Sequence, residues 1–343
     1  MNNFTFNRKF SFGGREIGLN CPVFIIAEAG VAHFGSIEKA KRLVDLAKEA
    51  GADAVKFQIF KTDELISSES AEWKNRLRPK ELPYEAFKDI QTYCSKKNIT
   101  FLCTAHDESS LKFLDTLNVP AYKIGSGEVA NWVFIEKIAA RKKPVILSTG
   151  MYNLEDIGDA LKIFEKTGSP DVAVLHCVTS YPALPSEVNL RAMDTIRETY
   201  GVIVGYSDHT QGFHFPLAAV ARGAYIIEKH ISLDFNVPDA QDWKVSCGPE
   251  DFSIMVQQIR DIEAGLGSGI KVPSESERLS INWARKSLVA TEDIMEGETI
   301  DLKKLNAKRP GFGIMPADID KVIGKKANRK IKKDTLIKWE HLK

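Results

Sequence analysis

Eight short apolar runs recur along the chain, each bounded by turn-forming residues. They are VFIIAEAG (23–30), AVKFQIF (54–60), ITFLCTA (99–105), AYKIGSG (121–127), PVILSTG (144–150), VAVLHCV (172–178), VIVGYSD (202–208) and YIIEKHI (225–231). Predominantly apolar stretches of this length, bounded by turn signals, read as buried strands. Their starts lie 22 to 45 residues apart, which leaves room for a strand, a loop and a helix.

The spacers carry helical periodicity. Segment 36–53 opens on Ser36, a helix-capping residue, places Ala40, Leu43, Val44 and Ala47 on one face, and ends at Gly51. Segments 87–98, 109–118, 153–168 and 191–201 repeat the pattern. Eight strand–helix repeats predict an α/β fold, a (β/α)8 TIM barrel. The competing doubly wound sheet calls for a GxGxxG turn after the first strand, and none is present.

A barrel places its chemistry at the C-terminal ends of the strands, and the polar residues of this chain collect there. Glu28 ends the first run, and Lys56 and Gln58 share one face of the second. Thr104 ends the third, with His106 and Asp107 behind it. Lys123, Ser126 and Glu128 follow in the fourth, Ser148 in the fifth, and His176 and Tyr181 in and after the sixth. Ser207, Asp208 and His209 close the seventh, and Glu228 and His230 the eighth. YIIEKHI therefore points Glu228 and His230 into the barrel mouth. Lys229 faces the other way, where its stem is expected to snorkel between helices.

Composition narrows the class. The chain has 343 residues, 43% hydrophobic and 27% charged, with a net charge of +1. That is enough for one large domain and a small one. No apolar run reaches the length of a membrane span, and the start of the chain lacks the apolar core of a signal peptide. Five scattered cysteines without a CxxC pair suggest free thiols and a cytoplasmic location. Residues 283–343 hold 15 Lys/Arg against 9 Asp/Glu. No recognition motif turns that basic segment into a nucleic-acid site; it suits an anionic small substrate or a solvated face.

Several groups point to chemistry. His209 and His230 would be neighbours in the ring, and two imidazoles beside carboxylates suit a divalent metal such as Mn or Zn. The alternative is two separately hydrogen-bonded histidines. Lys56 and Lys123, with Thr104, Ser126, Ser148 and the Gly125-Ser126-Gly127 backbone, suit a phosphate cradle; one lysine alone would suit a Schiff base. Glu28 and Glu128 are candidate acid–base groups, or partners of the two lysines. Together these describe a lyase or transferase acting on a phosphorylated small molecule.

The motifs FIIAEAG, GADAVKFQ, AYKIGSGE, VILSTGM, LHCVTSYP, VGYSDHT, IIEKH and KRPGFG stand in order from Phe24 to the C-terminus. In them the chain resembles the sialic acid synthase family. The resemblance implies a barrel over 1–270, a linker over 271–284 and a small β-rich antifreeze-like (SAF) domain over 285–343. It implies condensation of phosphoenolpyruvate with an open-chain N-acylated hexosamine and release of phosphate. The product expected is N-acetylneuraminate or legionaminate, with pseudaminate the alternative. Other readings are a metal-dependent barrel synthase or aldolase using a phosphorylated sugar and, in a different class, a non-catalytic carbohydrate binder.

By the same resemblance, His209 and His230 hold Mn or Mg, and Glu28 and Glu128 are catalytic. Lys56, Thr104, Lys123, Ser126, Ser148 and Ser207 bind phosphoenolpyruvate; Gln58, Tyr181, Asp242 and Arg309 meet the sugar. Arg309 does so from the partner subunit of a domain-swapped homodimer. The chain departs from the family pattern at Ala32, at Ala105-His106, and in VPDAQDWKVS, where Trp243 stands in place of a common His and Asp239 competes with Asp242. His106 is read either as a polar contact to the substrate or as a cap or surface residue. Trp243 either stacks on the sugar or packs.

Overall fold

The computed structural model describes residues 4–238 and 240–343. They form two compact units, divided between Gly267 and Ser268.

The first unit opens with an antiparallel hairpin, β1 (Lys9–Phe12) and β2 (Arg15–Gly18). Eight parallel strands follow: β3 (Phe24–Gly30), β4 (Ala54–Ile59), β5 (Thr100–Ala105), β6 (Tyr122–Ile124), β7 (Val145–Ser148), β8 (Val172–Cys177), β9 (Ile203–Asp208) and β10 (Ile226–His230). They close into a barrel in sequence order, with β10 pairing back onto β3. Every apolar run read from the sequence contributes one strand. The fourth run yields only three strand residues, because the chain turns at once into a 3-10 turn over Ser126–Glu128.

Helices alternate with the strands: α1 (Ile37–Glu49), α2 (Thr62–Leu65), α3 (Ala71–Leu77), α4 (Tyr84–Lys97), α5 (Glu108–Thr116), α6 (Trp132–Ala139), α7 (Leu154–Thr167), α8 (Ala192–Tyr200), α9 (His214–Ala221) and α10 (Pro249–Leu266). Ser36 caps α1 as its sequence position predicts, accepting a hydrogen bond from the Lys39 amide.

Strand alternation sorts the core into two shells. Phe24 and Ile26 point inward, joined by Leu102, Ile146, Leu175 and Ile226; Ile25, Ala27 and Ala29 point outward to the helices. The inward cluster uses the first residues of several strands, and Phe10, Phe12 and Ile17 of the hairpin pack onto it. The hairpin thus stoppers the N-terminal end of the barrel. Gly205 faces the same interior; a Cβ there would lie 2.4 Å from the Ile226 carbonyl oxygen and 2.6 Å from Leu175, so no larger residue fits.

One expectation is corrected. Lys229 does not snorkel to water: it is fully buried, under α9, which packs on β10 and is itself packed by α10. Asp208 lies on the same outer face one strand away, and Lys229 Nζ donates to its Oδ2 at 2.6 Å and to the Thr210 carbonyl at 2.7 Å.

The second unit covers residues 268–343. Helix α11 (Glu275–Ala284), closed by a Ser274–Glu277 capping box, lies where the sequence suggests linker. Strands β11 (Ser287–Ala290) and β12 (Leu305–Lys308) pair antiparallel over a core of Leu288, Ile294, Ile300, Val322, Ile331 and Ile337. The apolar run at 335–339 contributes a single bridge, Leu336 to Val289.

Candidate active site

A cavity of about 480 Å³ opens among the C-terminal ends of the barrel strands. Barrel register determines what lines it. Glu28 stands beside Lys56 and His230, Gln58 beside Thr104, Thr104 beside Lys123, and Ser207 beside Glu228. Residues assigned from separate strands therefore meet at one level of the barrel.

The floor is ionic. Lys56 Nζ lies 2.9 Å from Glu28 Oε2 and 3.6 Å from Glu228 Oε2, and donates to Thr104 Oγ1 at 3.3 Å. Lys123 Nζ donates to Ser148 Oγ at 2.6 Å and lies 3.7 Å from Glu228 Oε1. Glu228 accepts from Ser207 Oγ at 3.0 Å and Glu28 from Gln58 Nε2 at 2.8 Å. Ser126 Oγ accepts from the Gly150 amide at 2.9 Å, on the same wall. Lys56, Thr104, Lys123, Ser126, Ser148 and Ser207 are thus brought together. Two buried ammonium groups among hydroxyls bind an anion strongly.

Burial sets the proton affinities. It pushes the Glu28 carboxyl up, against the pull of Lys56 and with the push of Glu228. Burial also acts on Glu228, but Lys123 and Lys56 outweigh it and hold that carboxyl below its usual range. Lys56 is raised despite burial by Glu228 and Glu28, whereas burial pulls Lys123 down. Asp242, which also lines the cavity, is pushed up by burial.

His209 and His230 sit at the end of the cavity, their ring centroids 5.3 Å apart. Tyr181 stacks on His209 at 4.1 Å and meets His230 edge-on at 5.7 Å. His209 Nδ1 lies 2.7 Å from the Val178 carbonyl, to which it donates, leaving Nε2 as an acceptor for the Tyr181 hydroxyl at 2.9 Å. A backbone carbonyl fixing one imidazole tautomer is a feature of metal-binding histidines; here the Tyr181 hydroxyl holds the second nitrogen, which a metal would take over. Burial holds both imidazoles below their usual range, hence neutral and able to donate a lone pair. No cluster of three or more metal-binding side chains occurs among the described residues. The pair fits a divalent ion whose remaining positions belong to water or substrate.

Gln58, Tyr181 and Asp242 also line the cavity. Gly30, at φ +50 beside the strand bulge, lies under them; a Cβ there would meet Glu28 Oε1 at 3.2 Å and Gln58 Nε2 at 3.3 Å. Asp239 lies outside the described residues. Trp243 lines the cavity and donates from Nε1 to the Val237 carbonyl at 3.1 Å, which pins its own loop.

Two assigned residues stand elsewhere. Glu128 is not on the cavity wall: its carboxylate accepts from Asn131 Nδ2 at 2.6 Å at the end of the turn after β6. Neither does it pair with a lysine, as the sequence allowed. Arg309 belongs to the second unit, with its guanidinium 5.7 Å over the ring of Trp283.

Sequence reasoning placed Glu228 at the mouth but gave it no role; it is the carboxylate that contacts both lysines. It also missed Trp73, Arg76 and Lys80, which line the outer wall from α3 and the turn after it. Helix α3 buries no residue, so no apolar periodicity marked it.

Comparison with known proteins agrees over most of the chain. The family model described as "NeuB family" matches residues 43–271, and that of the SAF domain matches 285–343. An N,N'-diacetyllegionaminic acid synthase of Campylobacter jejuni is 42% identical, covering 92% of this chain and 98% of that protein. A protein of the same name from Legionella pneumophila is 39% identical, covering 98% and 99%. The crystal structure of an N-acetylneuraminic acid synthetase from Leptospira borgpetersenii in complex with citrate matches with a TM-score of 0.75 and 37% identity, over 82% of this chain and 97% of that one.

Proposed function

Starting from the premise that this chain belongs to the NeuB family and carries a SAF domain, we propose that it is a nonulosonic acid synthase. It condenses phosphoenolpyruvate with an open-chain N-acylated hexosamine and water, and releases phosphate. The sugar is a diacetamido-trideoxyhexose and the product a legionaminate, a choice supported by the two diacetyllegionaminic acid synthases at 42% and 39% identity. The observation that carries the reading is the Lys56–Glu228–Lys123 array with its hydroxyls, beside the His209–His230 pair.

Lys56 and Lys123 hold the anionic ends of phosphoenolpyruvate, with Thr104, Ser126, Ser148 and Ser207 as hydroxyl donors. Gln58, Tyr181 and Asp242 position the open-chain sugar so that its aldehyde carbon meets C3 of the enol. The new C–C bond leaves positive charge at C2, next to the carboxylates of Glu28 and Glu228. The aldehyde oxygen takes a proton as that bond forms, and the water that adds at C2 gives one back to a carboxylate; Glu28, whose proton affinity burial raises, suits both transfers. The C2–O bond then breaks, and the two ammonium groups stabilise the departing phosphate. A divalent cation held by His209 and His230, manganese or magnesium, would supply Lewis-acid polarisation of the aldehyde. Glu128, off the cavity wall, is assigned no step.

We extend the proposal to a cytoplasmic, domain-swapped homodimer in which the partner's Arg309 meets the sugar's acyl group. No helix among the described residues is long and apolar enough to cross a membrane. The test is incubation with phosphoenolpyruvate, manganese and a panel of acylated hexosamines. Phosphate release with the diacetamido sugar supports the reading, and release only with a phosphorylated sugar overturns it.

A further inference from the structure

His106 has no place in the steps above, yet its ring lies on the wall of the same cavity. It follows β5 and packs over the turn after β6: its Cε1 is 3.6 Å from where a Cβ on Gly125 would be, and Thr104 Cγ2 is 3.9 Å from that same point. The ring therefore sits at the Thr104–Gly125–Ser126 edge of the lysine cradle. Among the described residues neither ring nitrogen has a hydrogen-bond partner, so both remain available to a ligand. The same ring lines a second, outer pocket of about 430 Å³ with Glu64, Asp107, Glu108, Asn131 and Lys137. His106 thus stands between the substrate cavity and an opening to solvent.

We propose that His106 is a third cationic member of the phosphoenolpyruvate site, neutral in the free chain, which takes up a proton from solvent as the polyanion binds beside it and returns it once inorganic phosphate has left. The inference rests on the function proposed above and adds a residue to that site.

The charges around the ring fit this cycle. On the cavity side it faces Lys56 and Lys123. Burial, and then these two cations, pull its pKa down to about 4, so the imidazole is neutral near pH 7. A bound phosphate and carboxylate reverse the sign of that local field and favour the imidazolium. On the outer side Asp107 and Glu108 are committed elsewhere, and Glu64 is the remaining acid of that pocket. Asp107 accepts from the Ser110 and Lys61 amides, both at 2.7 Å, and Glu108 pairs with Lys112 and Lys137. Neither holds a proton on His106 before the substrate arrives. Protonation needs no redox partner: one N–H bond forms at the expense of one water-borne proton.

The experiment is calorimetric titration of phosphoenolpyruvate into the full chain at pH 7, in buffers of different ionisation enthalpy. His106→Phe and His106→Gln are measured alongside, with thermal melts to confirm folding. Wild type is expected to take up about one proton more per site than either variant, and to bind roughly 10-fold more tightly. Imidazole nitrogen shifts of wild type alone, with and without phosphoenolpyruvate, read the same proton should both variants misfold. Equal proton uptake in all three proteins, or a histidine spectrum unchanged by the ligand, overturns the inference alone. Absence of phosphoenolpyruvate binding by wild type overturns it together with the function it rests on.

Discussion

Lys229 Nζ sits 2.6 Å from Asp208 Oδ2, and neither side chain has any exposed surface. Asp208 also accepts from the Tyr206 hydroxyl at 2.8 Å and the Thr210 hydroxyl at 2.9 Å, so the pair is fully satisfied. It lies on the outer face of β9 and β10, directly behind His209 and His230, and ties the two strand ends that carry them. Removing one charge strands the other in a dry interior. Lys229→Met is expected to lose about 3–5 kcal/mol of stability in urea unfolding. The double variant Lys229→Met with Asp208→Asn should recover part of that loss. A single-variant cost below about 1 kcal/mol would contradict a structural role for the pair.

That knot also marks where sequence reading ends. Period-two alternation says that Asp208 and Lys229 share the outer face. It does not say whether that face meets water, and the helices packed over it decided the matter. The eight barrel strands were legible because strands buried on both faces are nearly all apolar. The cavity was legible because polar residues at strand ends break that rule. Hairpin β1–β2 was not, since KFSF and REIG are short and half polar, and their burial depends on Phe10 and Ile17 meeting a barrel end formed by distant strands. Glu128 fits the strand-end rule and still lies off the cavity, because the turn after β6 directs it to Asn131.

The two lysines should be separable from the sugar site. Lys56→Met and Lys123→Met each leave an anion-binding hydroxyl without its cation. Each is expected to lower kcat/KM for phosphoenolpyruvate by about 100-fold or more, with a much smaller change in KM for the sugar. Steady-state kinetics with each substrate varied in turn reads the difference. A KM for the sugar that rises as much as that for phosphoenolpyruvate would remove the lysines from the phosphate side.

The histidine pair predicts a metal stoichiometry. After dialysis against manganese, wild type should retain the ion, and His209→Ala and His230→Ala should each lose it while melting within a few degrees of wild type. Chelation should abolish turnover and added manganese restore it. Metal analysis of the three proteins is sufficient, and a His230→Ala chain that keeps its manganese would refute the assignment.

Acid stability should depend on His33. Its ring is fully buried behind β3, its Nδ1 accepts from the Gly35 amide at 3.1 Å, and its Nε2 has no partner among the described residues. Burial lowers its pKa to about 4. Above pH 6.5 the ring is neutral folded or unfolded and pH has no effect through it. As the pH falls below 6.5 the unfolded chain binds a proton that the folded chain refuses, so stability drops until about pH 4. The loss through this one group is about 3 kcal/mol. His33→Asn, which keeps an acceptor for Gly35, should flatten that part of the urea-midpoint profile. An unchanged slope would mean the ring is not buried neutral.

The strongest test of the proposed swapped dimer uses two inactive chains. Glu28→Gln removes the carboxylate at the cavity, and Arg309→Ala removes a guanidinium of the SAF unit. Suppose Arg309 reaches across to its partner. A mixed dimer then has one site with both defects and one site with neither, because the Arg309→Ala barrel receives its arginine from the Glu28→Gln chain. Unfolding and refolding the two variants together should restore turnover to about a quarter of wild type, since roughly half the dimers are mixed and each has one sound site. If Arg309 serves its own barrel, every site in the mixture carries exactly one defect and no activity returns. Phosphate release from the co-refolded mixture, set against each variant refolded alone, distinguishes the two arrangements without further structural work.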